Sequence, residues 1–411
     1  MKKKTHIFTL ALVITGCTFT SETKQSQLPV IDVNKEYPVK RIDIHEIAEV
    51  EYIPLQTTEE SLIQIVSNKA LSENYIIIFD IIQRVFFIFD RQGNFIHSFN
   101  RFGLGPEEYY GATSMDVDFI NKRIYVCDGM REKIFCYGFK GEYLHSWDIN
   151  VLRDGSTLQP LVYDTDHLII YNNTYWPASN EKRYREADDN PFYLINLKDG
   201  SIRNIDERLR IENPVHCIFK LTKGQTSNES RSEGWHFRHI LKSGDDFLLM
   251  NNALDTLYSY KNHQLSPIML RTPSAATMDV PKIISPSAYT DSYFMFYILP
   301  MDYEMAKKND FEERNTPRYI LDRHSNEIFQ AVLFDSLLDQ DFNINDKRVA
   351  WNIFPNHFTT SMHTQNQALG VYKTELLLEK LEEGKLKGKL KEIASKLKED
   401  DNNVVAIFKF K

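Results

Sequence analysis

What the 411-residue chain lacks narrows its chemistry first. No Gly-x-Ser-x-Gly segment is present, so a nucleophile-elbow serine hydrolase has no support. No His-x-Glu-x-x-His segment or zinc-type cysteine pair appears. His236 and His239 stand three apart, and on a strand such positions face opposite sides, so the two would not share a metal. No metal and no cofactor is therefore expected. The glycines of Gly103-Leu104-Gly105 are followed by Pro106, Glu107 and Glu108 rather than Lys-Ser or Lys-Thr, which does not suit a phosphate loop. Beyond the N-terminus no stretch reaches 18 uninterrupted apolar residues, so no other membrane-spanning helix is expected. Basic residues are outnumbered, 49 Lys and Arg against 57 Asp and Glu, for a formal charge of −8. Nucleic-acid binding calls for clustered Lys and Arg, so no nucleic-acid partner is expected. Cysteines number only four.

What is present starts with a secretory pattern. Lys2, Lys3 and Lys4 precede a short apolar run from Ile7 to Ile14, and small residues follow at Thr15 and Gly16. That run is far shorter than the roughly 20 residues a spanning helix needs. Ile14-Thr15-Gly16-Cys17 resembles the cleavage site of bacterial lipoproteins. The resemblance implies that residues 1–16 are removed and that Cys17 becomes the first, lipid-bearing residue. Its acyl chains would anchor the protein at about 0.8 kcal/mol per buried CH₂. Loss of the three lysines would take the formal charge to −11. The polar stretch Thr18 to Gln27 has no hydrophobic period and reads as a tether, so residues 17–45 are expected to be a tether and lead-in segment. No acidic cluster follows Cys17, which favours the periplasmic side over display at the cell surface.

Residues 46–411 read as one all-β domain built on a repeat. Residues 75–99 align with residues 123–147 at a fixed offset of 48 without a gap: Asp80 on Asp128, Phe87 on Phe135, Gly93 on Gly141, and His97-Ser98-Phe99 on His145-Ser146-Trp147. Each copy holds three strands separated by turns, and Gly93 and Gly141 are expected to supply positive φ at the second turn. A unit of about 45 residues cannot bury both of its faces alone, but radial stacking around an axis does so. The expected fold is therefore a six-bladed β-propeller with four-stranded antiparallel blades. Weaker copies begin near His167, Phe247 and Tyr293, and the last blade draws on Ala368 to Tyr372 and Val404 to Phe410. The strand Val50 to Leu55 has no blade of its own and should close the ring beside Val404 to Phe410. Residues 172–190 look like an inserted loop. Residues 374–398 carry Leu378, Leu381, Leu386, Leu390, Ile393 and Leu397 near helical spacing, with interruptions at Gly384 and Gly388. They read as a small helical insertion packed on the propeller. Of the cysteines other than Cys17, an odd three remain: Cys127, Cys136 and Cys217. Cys127 and Cys136 fall on neighbouring strands, as small core residues or as a bridge.

Several segments together resemble the six-bladed, NHL-like β-propeller lipoproteins of Bacteroidota. They are Tyr52-Ile53-Pro54-Leu55, Phe89-Asp90-Arg91-Gln92-Gly93, Gly103-Leu104-Gly105-Pro106-Glu107-Glu108-Tyr109, Asp255-Thr256-Leu257-Tyr258 and the closing stretch from Leu397. The resemblance covers roughly residues 45–411 and implies a fold more than a reaction.

Function follows less directly. Asp80, Asp128, Asp116 and Asp118 could line a propeller face, and paired carboxylates could cleave glycosides. Recurrence in the repeat argues instead that such aspartates cap turns, since Asp readily bonds nearby backbone amides. The expectation is a non-catalytic binding or scaffolding module of the cell envelope, with no catalytic residue assigned. It would hold a glycan, a peptide or a partner protein at one propeller face, and its lipid would hold the membrane. Arg84, Arg131, Arg101, Glu107 and Tyr109, in predicted loops, are the candidate contacts. The alternative is a glycan hydrolase or lyase with carboxylates at the channel mouth.

Overall fold

The 48-residue repeat is two successive four-stranded sheets. Blade 1 comprises, from the centre outward, Lys69–Leu71, Tyr75–Asp80, Val85–Asp90 and Phe95–Phe99. Blade 2 comprises Ala112–Asp118, Arg123–Asp128, Lys133–Gly138 and Tyr143–Asp148. All neighbours within each blade run antiparallel. The structure, a computed structural model, describes residues 28–66, 68–149, 159–171, 190–211, 218–220, 232–234, 239–300, 317–342, 349–351 and 360–411. The signal segment, Cys17, the tether to Gln27, Cys217, His236 and most of the 172–190 insertion lie outside the described residues.

Four more blades complete a six-bladed β-propeller, as the repeat predicted. Blade 3 holds Gln159–Val162, His167–Tyr171, Phe192–Asn196 and Ile202–Asn204. Blade 4 holds Ile240–Ser243, Asp246–Leu249, Thr256–Lys261 and Gln264–Thr272. Blade 5 holds Lys282–Tyr289, Tyr293–Pro300, Arg318–Asp322 and Ile328–Asp335. Blade 6 holds Val349–Trp351, Gln367–Tyr372, Val404–Phe410 and, outermost, Ala48–Pro54. That last strand pairs with Val404–Phe410 over seven residues, so the N-terminal strand closes the ring. Runs such as Ile76-Ile77-Ile78-Phe79 are buried on both faces because each blade is sandwiched between two neighbours. Ile76 and Ile78 pack toward blade 6, and Ile77 and Phe79 pack toward blade 2. Each such side chain contributes about 1.5–3 kcal/mol on burial.

The N-terminal segment belts the ring before closing it. Val30–Asp32 adds parallel to the outer strand of blade 4, and Val39–Asp43 adds parallel to that of blade 5. Both cover sheet edges that would otherwise be free to pair with another chain. A buried lock holds the closing strand. The Asp335 carboxylate accepts hydrogen bonds from Tyr52 (3.0 Å) and Tyr372 (2.7 Å) and faces His45 Nε2 at 3.1 Å. Burial alone would raise the Asp335 pKa, but the partners His45 and Tyr372 hold it below its ordinary value.

Gly93 and Gly141 do adopt positive φ, 86° and 80°. A Cβ on Gly93 would lie 2.3 Å from the carbonyl oxygen of Pro54, so only glycine fits there. The insertion forms two helices, Thr374–Glu382 and Gly388–Ala394. Its anchoring residues differ from the expected set: Leu376 and Leu377 carry the first helix into the core, with Leu386, Leu390 and Ile393, whereas Leu378 is only half-buried. A short helix turns one narrow face inward, and here that face falls on adjacent positions. Cys127 and Cys136 are buried and not bridged to one another: their cross-strand neighbours are Ile134 and Tyr125, so the antiparallel register does not set them opposite one another. No helix among the described residues is long and apolar enough to cross a membrane.

Candidate functional site

In a blade the turn between second and third strands lies on the same face as the connection to the next blade. On this upper face Asp80 and Asp128, the repeated aspartates, do the same job. One carboxylate oxygen of Asp80 accepts from the amides of Ile82 and Gln83 in its own turn; the other accepts from the amides of Gln64 and Ile65 in the incoming connection. Asp128 likewise accepts from Met130 and Arg131 with one oxygen and from Tyr110 with the other. Both are fully buried. They pin connection to turn, as recurrence in the repeat suggested. Asp118 caps the turn at the opposite end of its strand, accepting from the amides of Ile120 and Asn121 and from the Asn121 side chain.

The Gly103–Tyr109 loop packs between these turns, and most of the predicted contacts hold it there. Arg131 donates to the carbonyls of Gly105 (2.6 Å) and Glu108 (2.5 Å). Arg101 donates to the carbonyl of Gly141 at 2.6 Å. Tyr109 is fully buried, and its hydroxyl donates to the carbonyl of Arg84 at 2.7 Å. It supports the surface from beneath instead of forming part of it. Glu107 is exposed, and its carbonyl accepts from the Tyr137 hydroxyl. The exposed Arg84 guanidinium lies 3.6 Å from the ring centroid of Phe102, which stacks on Tyr110 at 5.4 Å.

Around this scaffold the surface is apolar. Thirteen large hydrophobic residues are exposed among the described residues, and seven of them belong to the upper-face segments of blades 1 and 2: Leu62, Ile65, Ile81, Ile82, Leu104, Tyr110 and Met130. Leu104 and Met130 are 79% and 72% exposed. Scattered apolar residues need no explanation, but more than half of them on one third of the ring is a patch.

A second site lies in the channel, and nothing in the sequence pattern pointed to it as a unit. Elsewhere the first two strands of a blade join through short turns; in blade 6 residues 352–366 intervene. Thr360–Met362 from that connection pairs parallel with the inner strand of blade 1, and Met362 with Ser243 on that of blade 4. A strand of the chain's own thus runs between the inner strands of two opposed blades. His363 follows it. Its Nε2 lies 2.8 Å from Asp116 Oδ1, and its Nδ1 lies 3.1 Å from the Lys242 ammonium. Lys242 also donates to the carbonyl of Val162 at 2.6 Å, and the Val162 amide donates to Asp116 Oδ2 at 2.6 Å. Donor and acceptor roles close consistently with a neutral imidazole: Lys242 donates to Nδ1, and Nε2–H donates to Asp116. Burial, followed by the Lys242 charge, lowers the His363 pKa and keeps the ring neutral. Burial pushes the Lys242 amine down to about 8, against the opposing pull of Asp116. Asp116 and Lys242 are nearly inaccessible.

Comparisons with known proteins extend this picture. The model of one protein family, described as "Domain of unknown function (DUF4934)", matches residues 28–272. Among solved structures the chain resembles one from Bacteroides fragilis NCTC 9343 described as a "Putative exported protein", with a TM-score of 0.57, 15% identity, and coverage of 94% of this chain and 100% of that one. A member of the DUF4221 family from Bacteroides vulgatus is similar at a TM-score of 0.42 and 11% identity, over 89% of this chain and 97% of that one. At these identities the likeness speaks to the fold alone. A search of curated proteins finds no match.

Proposed function

Because the family match spans more than half of the chain, the protein belongs to the DUF4934 family, and we propose that it is a non-catalytic binding module of the cell envelope that docks a protein or peptide on the upper face of blades 1 and 2. The apolar patch carries this reading. Leu62, Ile82, Leu104, Tyr110 and Met130 are all exposed to water on this face. Arg84 supplies a cation within the patch, and the repeated aspartates and Arg131 fix its loops beforehand, which reduces the entropy lost on binding. A glycan would call for polar groups around an open aromatic face, whereas here Tyr110 is stacked on Phe102. Kinship with NHL-like propeller lipoproteins, export, and a lipid at Cys17 on the periplasmic side belong to the same proposal. The Ile14-Thr15-Gly16-Cys17 site and the name of the Bacteroides fragilis neighbour support it.

The test places a photo-crosslinking residue at position 104 and, separately, at position 120, since Ile120 is 85% exposed but lies in a turn of the opposite face. Discrete adducts in the envelope from position 104 only, abolished by Met130→Asp, are expected. Equal labelling from both positions, or selective binding on a glycan array unaffected by Met130→Asp, would overturn the reading. Cys17→Ser should release the protein from membrane fractions.

One observation favours a second reading. Lys242, with its amine pushed down to about 8 beside His363 and Asp116, resembles a proton-transfer group at a channel, in keeping with an enzyme. Turnover of an envelope polymer that is lost in Lys242→Met would establish it.

A further inference from the structure

On the lower face, away from the patch and outside the channel cluster, three side chains from two blades meet. Asp164 lies in the turn between the first two strands of blade 3, and His167 opens the second strand. His263 sits at the tip of the hairpin between the last two strands of blade 4. Asp164 Oδ1 is 2.9 Å from His167 Nδ1, and Asp164 Oδ2 is 3.4 Å from His263 Nε2. One donor atom from each of the three lies within 4.8 Å of the other two. We propose that Asp164, His167 and His263 bind a divalent transition cation of the zinc type, bridging blades 3 and 4 and leaving a fourth position to water.

Four features support the assignment. Two imidazole nitrogens and a carboxylate oxygen are the donor set of an open tetrahedral zinc site, and harder cations such as Mg²⁺ or Ca²⁺ prefer oxygen ligands. The backbone holds His263 in an unfavourable place to keep its ring there. Asn262 and His263 both have positive φ, 50° and 57°, in a two-residue hairpin turn where the second position ordinarily takes glycine. The ring also has the outer support that metal-bound histidines use. Its Nδ1 lies 3.4 Å from the Tyr260 hydroxyl, its backbone amide donates to the Tyr163 hydroxyl at 2.5 Å, and the Tyr163 ring stands edge-on at 4.9 Å. That leaves Nε2 directed at Asp164. Finally, the neighbouring ammonium of Lys198 is bonded to Asp166 at 2.8 Å and acts on Asp164 only as a more distant charge. Asp164 and His263 are 35% and 48% exposed, which leaves a way in for the ion and room for a water.

The experiment titrates ZnCl₂ into the full chain in detergent, after chelator treatment, and follows heat and thermal unfolding. One equivalent should bind wild type and raise its Tm, because an ion that binds only the folded state stabilises it in proportion to RT ln(1 + [Zn]/Kd). Co²⁺ should give the visible bands of a tetrahedral nitrogen–oxygen site. His263→Asn is the decisive variant: asparagine accepts positive φ, so the hairpin keeps its shape while the ligand is lost. It should weaken binding at least tenfold with the metal-free Tm unchanged, and Asp164→Asn should do likewise. Unaltered stoichiometry and affinity in both variants would place the zinc elsewhere and overturn the proposal. Absence of binding by wild type would overturn it as well.

Discussion

Two clusters in this propeller bring one aspartate together with two basic groups from different parts of the ring, and they differ in what completes them. In the channel, Asp116 of blade 2 meets Lys242 of blade 4 and His363 of the blade 6 connection, with the carboxylate and the ammonium almost wholly buried. There Lys242 donates to Val162 and His363, and its ammonium faces the carboxylate at 3.8 Å. At the lower rim, Asp164 meets two imidazoles, and water reaches the group. Buried charge must be matched by the protein itself, since solvent is not there to do it. A half-exposed cluster can leave one charge to a ligand. The same residue types therefore make a strut in one place and a receptor in the other.

Breaking the strut should have the largest effect. Asp116→Asn leaves the Lys242 ammonium buried without its counter-charge and replaces one of the two oxygens that face His363 and the Val162 amide. Loss of about 3–5 kcal/mol of stability is expected in chemical denaturation, as for other broken buried pairs. A loss below about 1 kcal/mol would mean that the channel is wet. Lys242→Met breaks the same pair from the other side and leaves the buried Asp116 carboxylate to its hydrogen-bond donors His363 and Val162, so it too should destabilise the fold.

The same contrast has a pH signature. The folded-state pKa of Lys242 is about 8, against 10.5 for an ordinary lysine. Between those values the unfolded chain binds more protons than the folded one, so this group makes stability rise with pH. From pH 7.5 to 9.5 the gain should be about 2 kcal/mol, at roughly 1.4 kcal/mol for each unit of pKa difference titrated. The rise should be absent in Lys242→Met. His363 acts in the same direction at lower pH. Its pKa is depressed, so its contribution is present above 6.5 and is lost as pH falls below that value.

How far each cluster could be read from the sequence follows from what holds it. The blades were legible because neighbouring blades bury both faces of each strand, and that requirement wrote the same apolar runs and the same Asp and Gly turns 48 residues apart. The closing strand was legible for a related reason: Val50 to Leu55 had a strand's pattern but no partner nearby in sequence. The turn-capping role of Asp80 and Asp128 could be argued from their recurrence. Asp116, Lys242 and His363 recur nowhere; they meet only because a long connection folds back into the channel. The rim cluster left a fainter trace, an Asp-x-x-His at one turn and an Asn-His where a hairpin would carry Asn-Gly, with 95 residues between the two histidines. His236 and His239, close in sequence, are set aside as a shared metal site because i and i+3 on a strand face opposite sides. His239 is buried against Tyr171, with its Nδ1 3.1 Å from the Met250 carbonyl.

The smallest expected effect is the most discriminating. Without metal, Asp164→Asn should shift stability by no more than about 0.5 kcal/mol, because its contacts are half-exposed and screened by solvent. With Zn²⁺ in excess, wild type should gain stability and the variant should not, so the two curves part only when the ion is present. If Asp164→Asn instead costs several kcal/mol in the absence of metal, the rim cluster is a second strut. The distinction between buried and exposed clusters would then fail, because a carboxylate that water can reach would be carrying as much of the fold as one that water cannot.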